Sequence, residues 1–129
     1  MARYGSLVRT EEMVDRRRPG GRILTLDGYP HRGQPIVLTE FGGIAFERAP
    51  TGTDKPSWGY AEASDAAEFH ERYRSLLAVV NEIGMFSGFC YTQFADTFQE
   101  ANGLLCADRT PKLPLEQIEA ATRNLKPRK

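Results

Sequence analysis

The segment PIVLTEFGG, residues 35–43, ends an apolar run in the carboxylate of Glu40, and an aromatic and two glycines follow at once. A carboxylate held at the end of a strand and facing a pocket can act as a nucleophile or transfer a proton. The ordinary alternative is a solvated acid at a strand-to-loop junction, and periodicity alone favours it. Gly42 and Gly43 would let the backbone turn sharply beside Glu40. A second candidate segment is SGFCYTQFAD, residues 87–96, where strand alternation puts Tyr91 and Gln93 on one face. Tyr91 reads equally as a core residue or a site residue. Trp58-Gly59-Tyr60 either lines a pocket or anchors its loop, and anchoring is the favoured reading. Asp96 and Glu100 are loop acids and read as solvated. His31 and His70 lack metal-ligand spacing. Cys90 and Cys106 have no neighbouring Cys or His ligands, so they form neither a zinc site nor a disulfide framework. Cys90 sits in an apolar run and is expected to be a small buried side chain. No metal or cofactor is expected.

The chain that must position these groups has 129 residues, enough for one modest domain with its own core. Hydrophobic residues make up 40% and charged residues 26%, an ordinary globular balance. The formal net charge is zero, which argues against a nucleic-acid binder. The one basic cluster, Arg16-Arg17-Arg18, reads as a solvated helix end. No apolar stretch reaches the ~20 residues of a membrane span, and the first residues lack a signal-peptide apolar region. A reducing, cytoplasmic setting is the expectation.

Residues 9–18 suggest a short charged helix, stopped by Pro19-Gly20-Gly21. Residues 22–26 suggest a short strand, and 36–39 a strand buried on both faces. Residues 47–60 are rich in Pro, Gly and Thr and read as a long loop. The strongest helix spans 64–84. Ser64 is its expected cap, Gly84 its expected terminus, and Phe69, Tyr73, Leu76, Leu77, Val80 and Ile83 share one face. After the strand at 87–96 comes a loop over 97–113. A last helix spans 114–124, with Leu115, Ile118, Ala121 and Leu125 on one face. Strands separated by helices imply βαβ units, a parallel sheet and an α/β fold.

The segment PIVLTEFGG resembles the nucleophile strand of glycoside hydrolase family 2, which includes β-galactosidases, β-glucuronidases and β-mannosidases. QFAD at 93–96, followed by NGLLCADRTPK at 102–112, is similar to that family's last barrel strand and the segment after it. The order and separation of the two motifs match as well, and the resemblance covers roughly residues 34–125. It implies the C-terminal quarter of a TIM (β/α)8 barrel, incomplete as an isolated barrel. Residues 36–40 would be strand seven, 64–84 the helix between, and 88–94 strand eight. The implied division is residues 1–33, of uncertain role, and 34–129, the barrel quarter.

The resemblance further implies retaining hydrolysis of β-glycosides, with Glu40 as nucleophile. Such enzymes use two carboxyl groups about 5–5.5 Å apart. The family's sugar-platform aromatic would fall within Cys90-Tyr91-Thr92-Gln93, so Tyr91 supplies that face or Thr92 occupies its position. Gln93 stands where an amide would contact a sugar hydroxyl, and Trp58 is a further substrate-binding candidate. The family's acid/base lies in an Asn-Glu pair after an earlier strand. Asn81-Glu82 sits on a helix and follows Glu40, so it does not qualify. The chain is therefore expected to carry the nucleophile without its proton donor and to be inactive alone. The implied partners are a β-glycoside or oligosaccharide and either another copy of the chain or a complementary fragment. Nucleic acid and membrane are not expected partners. A non-catalytic sugar-binding or interaction module and an unrelated small α/β domain are the alternatives.

Overall fold

The computed structural model describes residues 25–47 and 59–123. The expected helix at 9–18, most of the strand at 22–26, most of the loop at 47–60, and Trp58 lie outside them. Within them the order is β1 (Ile36–Gly42), β2 (Ile44–Ala45), β3 (Ala61–Glu62), α1 (Ala66–Glu82), β4 (Phe86–Thr92) and α2 (Leu115–Thr122).

β-Branched Ile36, Val37 and Thr39 favour extended backbone in β1. It pairs in parallel with β4 across the α1 crossover, as the alternation of elements predicts. Among the described residues the pairing stops there. Gly43 breaks the strand after β1, and β2 then pairs with β3 in a second, separate sheet, also parallel.

This division overturns the expected barrel quarter. A barrel needs one continuous sheet in which each strand has two neighbours. Here the strand hydrogen bonds are split between two sheets of two strands each. The described architecture is a small mixed α/β arrangement of two helices and two short parallel sheets.

Helix α1 follows its sequence pattern closely. Phe69, Tyr73, Leu77 and Val80 are buried at spacings of three and four. Its cap is Asp65, not Ser64: the Asp65 carboxylate accepts the Glu68 backbone N–H at 2.8 Å. Glu68 in turn reaches back to the Ser64 N–H and hydroxyl, so two adjacent residues share the capping work. Ile83 closes the other end, with Gly84 one residue beyond. Helix α2 begins after Pro114, which serves as its N-cap. Ala121 is buried in α2, whereas Leu115, expected on the apolar face, is largely exposed.

Aromatic rings bind the elements together. Phe46 stacks on Phe69 with centroids 5.4 Å apart. Phe89, Phe41, Tyr91 and Tyr73 make a chain of edge-to-face contacts at 5.7, 5.8 and 5.0 Å, running from the β1–β4 sheet to α1. The Tyr73 hydroxyl lies 2.7 Å from the Thr122 hydroxyl and so ties α1 to α2. Cys90, expected to be buried, is exposed: its neighbours Phe89 and Tyr91 are the β4 side chains that pack on Phe41, and Cys90 between them alternates away from that contact.

The expected strand over 87–96 ends at Thr92, and the segment after it, including the expected loop over 97–113, is organised by backbone hydrogen bonds. The Gln93 N–H donates to the Asn102 carbonyl, and the Leu104 N–H donates to the Gln93 carbonyl. Single bridges join Ala95 to Leu105 and Leu105 to Pro111. Lys112 clamps the segment from inside. Its ammonium donates to Asp96 Oδ1 at 2.8 Å and to the Ala101 carbonyl at 2.7 Å.

Candidate functional site

Glu40 lies near the C-terminal end of β1, where the pairing with β4 slips. Leu38 is opposite Phe89, yet Phe41 is opposite Tyr91. β1 therefore advances three residues while β4 advances two, so Thr39-Glu40 contains one extra residue. A bulge of this kind re-aims side chains that simple alternation would place otherwise. Glu40 is exposed, and among the described residues its carboxylate makes no hydrogen bond or ion pair.

The bulge opens onto a cleft of about 270 Å³ lined by Glu40, Phe41, Gly42, Tyr60 and Thr92. Each wall has a local cause. Phe41 is held edge-on between Phe89 and Tyr91. Gly42 has φ +109°, and a Cβ there would lie 2.3 Å from the Tyr91 ring. The Gly43 N–H donates to the Thr92 carbonyl at 2.7 Å, which brings the ends of β1 and β4 together. The Gly43 carbonyl accepts the Tyr60 N–H at 2.8 Å, which brings in the segment before β3.

Of the residues expected at the site, Thr92 lines the cleft with Glu40. Tyr91 is turned into the aromatic core between Phe41 and Tyr73. Burial pushes its phenol above the usual range, partly offset by the Ile44 backbone. Gln93 follows Thr92 through a cis peptide and does not line the cleft; its side-chain amide nitrogen is buried. Trp58 lies outside the described residues.

Asp96 accepts Lys112 Nζ and the Gly103 N–H and so acts as a structural anchor. Asn81 donates to the Leu77 carbonyl of its own helix at 2.9 Å. Among the described residues Glu40 is the one carboxylate lining the cleft, and no group of three His, Cys, Asp or Glu side chains could hold a metal ion.

A larger hollow of about 440 Å³ lies between the start of α1 and residues 111–115. Its lining is apolar apart from Lys112, whose ammonium is committed to Asp96 and Ala101. It offers no nucleophile or proton-transfer group.

Two contributions to the site escape sequence reasoning. The bulge depends on the register between strands fifty positions apart, which neither strand encodes alone. Tyr60 belongs to a segment already noted for its aromatics, and the glycine before it is the available signal. The Gly59 Cα lies so close to Ala45 that an added Cβ would be 2.5 Å from the alanine methyl.

No family model matches the chain, and no curated protein matches it. Among the described residues no helix is long and apolar enough to cross a membrane.

Proposed function

We propose that this chain carries the nucleophile half of a retaining β-glycosidase site, with Glu40 as the attacking carboxylate. The observation that carries the proposal is the placement of Glu40. It sits at a bulged strand end, in a cleft shared with Thr92 of the neighbouring parallel strand, with no competing ion pair among the described residues. The C-terminal ends of parallel strands are where α/β proteins gather reacting groups. The resemblance of PIVLTEFGG, QFAD and NGLL to the family 2 glycosidases supports the same reading.

In this chemistry a Glu40 oxygen attacks the anomeric carbon, forming a glycosyl ester as the bond to the leaving oxygen breaks. A second carboxyl group protonates that oxygen and later deprotonates the water that cleaves the ester. No second carboxylate lines the cleft among the described residues. The isolated chain is therefore expected to be inactive on ordinary glycosides, with the proton donor supplied by another copy or a complementary fragment.

The test avoids the missing donor. A fluorosugar with an activated leaving group needs little protonation to depart, so it can ester-link to the nucleophile without an acid. The expected result is a single added glycosyl mass on the peptide containing Glu40, lost in Glu40→Gln. Labelling elsewhere, labelling unaffected by Glu40→Gln, or no labelling would overturn the assignment.

A further inference from the structure

Tyr60 stands out because its backbone is fixed while the residue as a whole is largely exposed. Its side of the cleft is assembled by close backbone approach. The Gly43 carbonyl accepts both the Tyr60 N–H at 2.8 Å and the Ala61 N–H at 3.3 Å. The Tyr60 ring rests directly against Gly43: a Cβ there would lie 2.2 Å from Cδ2, and the residue has φ +78°. Gly59 is pressed equally closely onto Ala45. Even so, Tyr60 is 73% exposed, and it shares the cleft with Glu40 and Thr92.

We propose that Tyr60 is the platform on which one pyranose ring stacks, with the ring's anomeric edge directed at Glu40. This rests on reading Glu40 as a glycosidase nucleophile and adds the group that selects a carbohydrate for it. The face of an aromatic ring is apolar and carries the negative side of its quadrupole. A β-pyranose presents a face of C–H bonds, slightly positive, with hydroxyls around its edge. The ring face suits Tyr60, and the polar edge suits Glu40 and the Thr92 hydroxyl. The cleft volume of about 270 Å³ falls just below the ~300–1,000 Å³ of pockets for drug-sized ligands. That size suits one sugar ring better than an oligosaccharide. Since the Tyr60 backbone is already bonded to Gly43, the main chain that carries the platform needs no ordering when the sugar arrives.

The test is an NMR titration of the full chain with the methyl β-glycosides of glucose, galactose and mannose, using acyclic mannitol as a control. At least one pyranoside should shift the Tyr60, Gly42 and Gly43 signals, and mannitol should shift none. Tyr60→Phe should keep Kd within about twofold, and Tyr60→Ala should weaken binding about five- to tenfold. Spectra of the free variants verify folding. Glu40→Gln should still bind, which separates recognition from bond cleavage.

Fluorosugar labelling of Glu40 with binding indifferent to Tyr60→Ala would overturn the platform alone. Tyr60-dependent binding without labelling would uphold the platform and remove the catalytic assignment. Absence of binding by all three pyranosides would overturn the platform.

Discussion

Replacing Lys112 with Met tests how the segment after β4 is held. The Lys112 side chain is 0% exposed, and that of Asp96 is 10% exposed. Methionine keeps the length and apolar stem but removes the charge and both hydrogen bonds. The Ala101 carbonyl would still accept the Phe46 N–H at 2.9 Å, so it would not be orphaned. Asp96 would keep only the Gly103 N–H, leaving a nearly buried carboxylate without its counter-charge. Removing one member of a buried ion pair costs about 3–5 kcal/mol. The retained Gly103 bond and residual exposure of Asp96 place this case at the lower end, about 3 kcal/mol. Urea unfolding followed by circular dichroism should show a lower midpoint at unchanged slope. The double variant Asp96→Asn, Lys112→Met should recover much of the loss, since it removes both charges together. A loss below about 1 kcal/mol, the worth of an exposed pair, would refute the reasoning. So would a double variant as destabilised as the sum of the singles.

Gly42→Ala should destabilise by about 2–4 kcal/mol, because its Cβ would strike a Tyr91 ring packed against two other aromatics. Gly28→Ala is the control in denaturant unfolding: it shares a positive φ of +81° but meets nothing within 4 Å, so it should cost less than Gly42→Ala. The phenols of Tyr73 and Tyr91 are both pushed upward by burial. A raised folded-state pKa gives stability that is complete below the unfolded value near 10 and lost as pH rises through the folded value. Phenolate absorbance during alkaline titration should therefore show these two tyrosines ionising together with unfolding, and Tyr73→Phe should reduce the alkaline loss.

The legible parts of the fold are those with enough residues to show a period. Helix α1 announces itself through Phe69, Tyr73, Leu77 and Val80, and its start through neighbouring Ser64, Asp65 and Glu68. Which of Ser64 and Asp65 caps it depends on a single backbone bond that composition does not determine. β1 and β4 are visible as apolar, β-branched and aromatic runs, and their parallel pairing follows from the helix between them.

β2 and β3 have two residues each, too few for any alternation. How many strands a sheet contains is also invisible in a pair of strands, and the barrel expectation fails there. At the site, Glu40 is legible as a carboxylate ending an apolar run. Its bulge and its meeting with Tyr60 are not, because both arise from contacts between distant segments. Tyr91 shows the same limit: strand alternation leaves core and cleft equally open, and the Tyr73 ring decides for the core.

The parallel seam between β1 and β4 also has a kinetic consequence. Phe41 and Tyr91 face each other from positions fifty residues apart, whereas α1 is built from contacts within a few turns. Contacts so distant in sequence must wait for loop closure, so the helix can form well before the seam. The cleft would then be among the last features assembled and the first lost in partial opening. A chain with full helical signal could still lack the cleft, and hydrogen exchange at Phe41, Gly42 and Tyr91 would reveal this sooner than circular dichroism.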